Sequence, residues 1–307
     1  MCALASLRGA SRPVNAPSDG GAEGCRKEDD MAIEITTLVE NTGGHHRGLS
    51  VEHGLSFLVE TETATVLFDT GQSDAFVRNA GKLGKDLRRV DHVVLSHGHY
   101  DHGGGFVSFV ASREDRRFVV WTGNGFFIPK YALFDSFCQY LGPGFGISFL
   151  KRNCIEYNVV ASKVEIAKGS WIVTGFSSGR ADALHPRFVL RDGDRWVPDR
   201  FLDEVSLVVE GGKGLVVLVG CSHPGILNIL DTVRTLFGHR HIQAVLGGVH
   251  LAEAEASTIG STLSECSRMG IDILGLCHCS GKEAVDMALA ASPANFHNVT
   301  GTTIFLE

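Results

Sequence analysis

The sequence lacks a long apolar run, an excess of positive charge and a regular arrangement of cysteines. No window approaches about 18 uninterrupted apolar residues, so we expect no transmembrane helix. The 28 Lys and Arg residues are outnumbered by 35 Asp and Glu residues, and the net charge of −7 gives no general attraction to nucleic acid or to anionic membranes. The eight cysteines show no disulfide framework, and Cys138, Cys154 and Cys266 are expected to be reduced and buried.

The first thirty residues also lack a structural pattern. Ser, Arg, Gly, Ala and Pro dominate, and the apolar run Ala3–Leu7 is too short for the core of a signal peptide. We interpret residues 1–30 as a disordered extension, or as an upstream start that is not used, and a cytoplasmic location follows by default. Residues 31–307 contain no long linker and are expected to form one domain, with an irregular insertion over about residues 123–200.

A group of metal-binding side chains directly follows the apolar stretch Val90–Leu95. His97 and His99 are two residues apart, so an extended or turning backbone can aim both rings at one point. Asp101 and His102 can reach a second point nearby. Imidazole and carboxylate are ligands that zinc and other borderline divalent metals prefer. The motif therefore predicts a metal site in a loop at the end of a buried strand.

Three other apolar strands predicted in the sequence also end in a histidine. A single histidine at a strand end would need no special explanation, because it can bond backbone carbonyls. In open β/α layers, however, ligand chemistry collects at the strand ends, where loops are free to specialise. The four strand-end histidines therefore indicate one shared site: His97, His223, His250 and His278.

The spacing His-x-His-x-Asp-His is the signature of the metallo-β-lactamase superfamily, and several other segments are similar to one of its subfamilies. These segments are residues 38–42, 52–56, 67–71, 220–226, 247–251 and 277–281. Together they resemble the subfamily that includes the 7,8-dihydropterin-6-methyl-4-(β-D-ribofuranosyl)aminobenzene-5′-phosphate synthases. The resemblance extends from about Ile33 to Leu306, and it implies an α/β fold, a four-layer αββα metallo-β-lactamase sandwich with a metal site between its two sheets.

The resemblance also implies which residues bind metal. The ligands of a first metal would be His97, His99 and His223, and those of a second would be Asp101, His102 and His278. Asp69 matches the supporting aspartate of the superfamily, and it is expected to hydrogen-bond the histidine loop rather than to bind metal. One or two divalent metals per chain are expected, with zinc preferred and with iron, manganese or magnesium as alternatives.

Four residues keep more than one interpretation. Cys221 stands where the resemblance places a bridging aspartate, so its thiolate could bind or bridge metals or could have no role, and the site could be mononuclear. His250 could replace His278 as a ligand or could contact substrate. Asn41 lies in a family-matching loop and is a candidate for substrate binding. Lys282 begins a predicted helix, where it could bind a phosphate or could only be solvated.

The resemblance implies a metal-dependent enzyme whose metals act as Lewis acids on a phosphorylated or ester-type small molecule, with Asp101 as the catalytic residue. A hydrolase would use metal hydroxide to attack an ester, phosphoester or lactone. A synthase would transfer a dihydropterin to an aryl carbon. A non-catalytic metal-dependent binder, or a redox protein with iron at the same residues, are further alternatives. The expected partner is a small molecule, phosphorylated or pterin-like, and a homo-oligomer is left open.

Overall fold

The computed structural model describes residues 33–45, 48–115, 117–176, 180 and 185–307, and the predictions for residues 1–30 lie outside these ranges. The first half of the chain forms, in order, β1 Ile33–Val39, β2 Ser56–Glu60, β3 Thr65–Phe68, α1 Ala75–Lys82, β4 His92–Val94, α2 Tyr100–Gly103, α3 Phe106–Ala111, β5 Val119–Gly123, β6 Lys130–Leu133, β7 Cys138–Tyr140, α4 Ile147–Arg152 and β8 Glu156–Val160. A short 3-10 turn, Leu87–Arg89, precedes β4.

The second half of the chain contains the remaining strands and three longer helices. They are β9 Val164–Ala167, β10 Ser170–Val173, β11 Phe188–Asp192, β12 Arg195–Pro198, β13 Ser206–Gly211, β14 Gly214–Val219, α5 Ile226–Leu236, β15 Ile242–Gly247, α6 Ala256–Arg268, β16 Ile273–Leu276, α7 Lys282–Ala291, β17 Phe296–His297 and β18 Thr303–Leu306. A 3-10 turn, His278–Ser280, follows β16. Within the described residues, no helix combines the length and the apolar character that a membrane crossing requires.

The strands form two seven-stranded sheets and one smaller sheet. The first sheet has the order β18-β1-β2-β3-β4-β5-β8, and the second has the order β17-β16-β15-β14-β13-β10-β9. In the first, β3, β4, β5 and β8 are parallel, and in the second, β14, β15, β16 and β17 are parallel. Because parallel strands have their carboxyl ends at one edge, the loops that follow them are brought close together.

Three apolar clusters show how the layers pack. Along β14, Val216 and Leu218 face a cluster shared with the first sheet, whereas Val217 and Val219 face a cluster shared with α5, α6 and α7. This alternation follows from the two-residue period of a strand. The other face of the first sheet packs against α1 and α3. The order helix, sheet, sheet, helix confirms the predicted α/β fold, since each sheet is covered on both faces.

The stretch 123–200 was expected to be irregular, but it contains regular structure. Strands β12, β11, β6 and β7 form a four-stranded sheet, which we call the third sheet, and β8 extends the first large sheet. These strands have three to five residues each, and β7 is exposed at every position. Strands this short, of which only β6 alternates in burial, give little of the periodic signal on which the prediction depended.

The cysteines differ in their expected reactivity. Cys138 and Cys154 are exposed, which corrects their predicted burial, whereas Cys266 and Cys277 are buried. Burial raises the pKa of the Cys266 thiol to about 12, so almost none of it is thiolate near neutral pH.

Brief alkylation of the folded protein at pH 8 is expected to modify Cys138 and Cys154 but not Cys266 or Cys277. Peptide mass spectrometry measures this, and a denatured sample is the control. Rapid modification of Cys266 in the folded state would contradict the packing.

Candidate metal centre

The predicted strand-end histidines meet at the edge where the two large sheets come together. His97 and His99 follow β4, while His223 follows β14 and His278 follows β16. The rings of His97 and His223 have centroids 4.9 Å apart, although 126 positions of the chain separate the two residues. The sandwich thus places loops from its two halves around one centre.

The first ligand group consists of His97, His99 and His223, all buried, with ligand atoms within 4.8 Å of one another. Burial lowers the pKa of all three rings, that of His99 to about 3, so they are neutral near pH 7. Among the described residues, neither His99 Nε2 nor His223 Nε2 has a hydrogen-bond partner. Buried, unpaired nitrogens on neutral imidazoles are what a divalent cation requires, so this group fits a metal ion.

The second ligand group lies beside the first. His102 Nε2 is 3.1 Å from His278 Nε2, and Asp101 Oδ2 is 3.4 Å from that same His278 atom. Burial alone would raise the pKa of Asp101, but His102, His278 and His53 outweigh it and hold the pKa well below its usual range. Burial likewise opposes the charge of His102, yet Asp69 and Asp101 raise its pKa to about 9. A cation bound at His102 must therefore displace a proton.

Asp69 holds the histidine loop in place without facing the cavity. Its Oδ1 accepts a hydrogen bond from the Ser96 backbone nitrogen, and its Oδ2 accepts from the Ser96 hydroxyl, all at 2.7 Å. His102 Nδ1 donates to the same Oδ2 at 2.7 Å, which turns Nε2 towards the second ligand group. A carboxylate that fixes the ring of a metal-binding histidine in this way also fixes its tautomer.

Three more buried carboxylates accept backbone N–H groups from the ligand loops, and sequence reasoning did not find them. Their hydrogen bonds are Asp203 with Gly98 N at 2.7 Å, Glu204 with His223 N at 3.1 Å, and Glu40 with His278 N at 3.2 Å. Burial raises the pKa of each of these carboxyl groups. For Asp203 and Glu204 the sequence signal is an acidic residue in an apolar context, which fits many structural roles, whereas Glu40 lies in the family-matching segment 38–42.

A buried cation supports the same loop from behind. Lys130 Nζ lies 2.9 Å from Asp199 Oδ2 and 2.9 Å from Asp203 Oδ1, and all three side chains are buried. Lys130 also lies over the ring of Phe201, 5.4 Å from its centroid. Phe201 in turn stacks on His223 with ring centroids 3.8 Å apart. The third sheet, which supplies Lys130, therefore helps to position the first ligand group.

The ligand groups face a cavity of about 480 Å³. Its wall is formed by both groups and by side chains from the third sheet and the late loops: Asn41, His53, His99, Tyr100, Asp101, Ala132, Phe134, Gln139, Leu141, His185, Arg187, Phe188, Cys221, His223, His250, Ala252, Glu253, Ala254, His278 and Cys279. This volume lies within the usual range of about 300–1,000 Å³ for small-molecule sites.

The structure brings most of the predicted site residues to this cavity. Asn41 Oδ1 accepts from His278 Nδ1 at 2.9 Å, so it contacts a ligand histidine. His250 packs beside His223, with ring centroids 4.4 Å apart, and its buried Nδ1 has no partner among the described residues. Lys282 does not line the cavity. It lies exposed on α7 and pairs with Asp286, which favours the solvated interpretation over phosphate binding.

His53 also lines the cavity, although it is not one of the strand-end histidines. Its Nε2 is 3.1 Å from Asp101 Oδ2, and its side chain remains 55% exposed. Its ring centroid is 5.0 Å from that of His278. No strand precedes His53 directly, so the strand-end criterion could not find it. His53 lies within the family-matching segment Glu52–Ser56, and this was the available signal.

Known proteins are similar to this chain in sequence and in fold. The sequence profile described as "Metallo-beta-lactamase superfamily" matches residues 49–232. A curated relative from Methanocaldococcus jannaschii is 25% identical over 87% of this chain and 94% of its own length. It is named 7,8-dihydropterin-6-methyl-4-(beta-D-ribofuranosyl)-aminobenzene-5'-phosphate synthase.

Solved structures agree with these sequence comparisons. The crystal structure of Tm1679, described as a metal-dependent hydrolase of the beta-lactamase superfamily, has a TM-score of 0.76 and 30% identity, and the match covers 89% of this chain and 98% of that one. Zn²⁺-bound PqqB from Methylobacterium extorquens has a TM-score of 0.55 at 12% identity, over 88% of this chain and 99% of that one, a likeness that concerns the fold alone.

Proposed function

Because this chain belongs to the metallo-beta-lactamase superfamily, we propose that it binds two divalent metal ions and uses them as Lewis acids on a phosphorylated or ester-type small molecule. The observation that carries this proposal is the convergence of two groups of ligand side chains beside one cavity. The family makes the chain an enzyme, either a hydrolase or a synthase. The substrate class and the identity of the metals are our inference.

In this proposal each ligand group holds one metal. His97, His99 and His223 hold the first, while Asp101, His102 and His278 contribute to the second. Zinc is the metal we favour for the imidazole ligands of the first group. When bound, a divalent metal lowers the pKa of water towards about 7 and stabilises negative charge on a substrate oxygen.

The protein side chains around the metals orient the reacting groups. Asp101 is ionised, and its Oδ2 lines the cavity, where it can accept a hydrogen bond from an attacking nucleophile. Asp69 and Asn41 fix the ring orientations of His102 and His278. Phe188 and other apolar wall residues limit the access of bulk water. The substrate in this proposal is a small molecule, because the cavity has a volume of about 480 Å³.

A specific observation favours the synthase as a second candidate. The relative that carries the synthase name matches over 94% of its length, so no large part of that enzyme lacks a counterpart here. Both candidates need Lewis acids at the same place. They differ in the nucleophile, which is water in a hydrolase and an aryl carbon in the synthase.

The first experiment measures metal content and turnover on the same protein. Elemental analysis of protein purified without chelator or nickel is expected to give about two equivalents per chain. The panel contains a phosphomonoester, a phosphodiester, a carboxylic ester and a lactone, together with a dihydropterin diphosphate plus a ribofuranosylaminobenzene phosphate. In water enriched in oxygen-18, hydrolysis places the label in a product and the synthase reaction does not. A protein without bound metal, or one whose turnover survives removal of its metals, would contradict the proposal.

Replacement of Asn41 with alanine tests how the second metal is held. The variant removes the acceptor that fixes His278 Nδ1, so we expect the affinity for the second metal to fall about 10- to 100-fold. The first metal should be unaffected. Metal titration of the apoprotein measures both positions. Asn124→Ala, at an exposed position, is the matched control. Equal affinities in Asn41→Ala and the wild type would exclude this role.

A further inference from the structure

Two cysteine sulfurs lie beside the second ligand group. Cys221 follows β14 and Cys279 follows β16, so they come from the strands on either side of β15. The sulfurs and a ring nitrogen of His278 all lie within 4.8 Å of one another. The Cys279 thiol also donates a weak hydrogen bond to the Cys221 carbonyl oxygen at 3.4 Å. The fold thus brings together two thiols that are 58 positions apart in the chain.

The loop after β15 leaves space for this approach. A Cβ atom at Gly248 would lie 2.5 Å from the Cys279 sulfur and 2.6 Å from the Gly220 carbonyl oxygen. Any side chain at this position would therefore collide with the sulfur. Because residue 248 is glycine, the Cys279 side chain can cross the end of the middle strand and reach Cys221.

The thiol pair is continuous with the second ligand group. Cys221 Sγ is 3.2 Å from His102 Nε2, which is itself 3.1 Å from His278 Nε2. Sulfur and nitrogen atoms that bind one zinc ion at about 2.0–2.3 Å lie roughly 3.3–3.8 Å from one another. The two sulfurs and the His278 nitrogen lie within 4.8 Å of one another, so side-chain movements of about 1 Å would place one cation within reach of all three.

We propose that Cys221 and Cys279 bind the second metal together with His278, so that this position selects zinc or another thiophilic cation over Mg²⁺ and Mn²⁺. This inference rests on the proposed function, because it assumes that the second position holds a metal. Each thiol releases its proton to solvent as its sulfur binds the cation. Thiolates favour zinc, whereas Mg²⁺ and Mn²⁺ prefer carboxylate, carbonyl and water oxygens. The three ligands assigned to the first position are imidazoles.

Zinc-edge X-ray absorption on the fully loaded protein tests the inference. The wild type is expected to show a sulfur shell at about 2.3 Å in addition to nitrogen and oxygen at about 2.0–2.1 Å. Cys221→Ala and Cys279→Ala should each remove about half of the sulfur signal, and Cys154→Ala, which changes an exposed thiol, should leave it unchanged. Loss of either sulfur should also lower zinc affinity at the second position about 10-fold or more, while Mn²⁺ affinity changes less.

The outcomes separate this inference from the proposed function. Two bound zinc ions with only nitrogen and oxygen neighbours would overturn the sulfur ligands and leave the two-metal enzyme intact. A sulfur shell that persists in Cys279→Ala and disappears in Cys221→Ala would also overturn the assignment, because it requires both thiols. A protein that binds no zinc at all would contradict the proposed function itself. The wild-type spectrum is decisive even where a variant folds poorly.

Discussion

His223→Ala is expected to lower kcat/KM by on the order of 10³-fold or more and to remove about one of two metal equivalents. His223 contributes to the first ligand group, and its buried Nε2 has no hydrogen-bond partner among the described residues. Loss of one of three imidazoles leaves that position with two, too few to retain a divalent ion against water. Steady-state kinetics and elemental analysis on the same preparation measure the two effects.

The control for this variant is His241→Ala. His241 is a partly exposed histidine that pairs with Asp272 at 2.7 Å and does not line the cavity, so its loss should leave kcat/KM and metal content unchanged. His99→Ala should reproduce the His223→Ala result without disturbing the stack on Phe201. If His223→Ala retains both metals and its kcat/KM falls less than about tenfold, the first position is held by other residues.

Lys130→Met is expected to lower the free energy of unfolding by about 3–5 kcal/mol. The side chains are similar in length, but methionine leaves Asp199 and Asp203 buried without their cation. Breaking a buried ion pair from one side is costly because the remaining charge cannot be solvated. Urea unfolding followed by circular dichroism measures the change, and the slope of the transition should stay the same.

The matched control for Lys130→Met is Lys282→Met. Lys282 is 87% exposed and pairs with Asp286 on the same helix, so the loss should be within about 0.5 kcal/mol. If the two variants unfold at the same urea concentration, the buried cluster does not stabilise the fold.

Since Asp203 also accepts the Gly98 backbone N–H, Lys130→Met is further expected to weaken metal binding at His97 and His99.

The family and the fold could be predicted from the sequence because both leave local signals. The apolar stretch Val90–Leu95 contains β4 His92–Val94, and the predicted loop of metal-binding side chains follows it. A long apolar strand followed by a histidine is visible without any knowledge of tertiary contacts. The comparisons and the layer order confirm the predicted metallo-beta-lactamase fold.

The rest of the site depends on contacts between distant segments. Glu40 accepts the backbone N–H of His278, 238 positions away, and Glu204 accepts that of His223, 19 positions away. No local sequence pattern around either glutamate indicates which loop it contacts. Lys282 fits a local pattern, a cation at a helix start, but α7 turns it to solvent. The third sheet was missed because its strands are too short to show a period. The metal ligands themselves remain predictions until metal content is measured.

Four carboxylates, those of Asp69, Asp203, Glu204 and Glu40, hold the backbone of the ligand loops through hydrogen bonds within the protein. Each accepts a backbone N–H of a ligand loop, so these contacts do not require a bound cation. The protein can therefore fold before it binds its metals. A chain released from the ribosome would reach its mature conformation first and acquire its metals afterwards, and a change in the cellular metal supply could alter its activity without marking it for degradation.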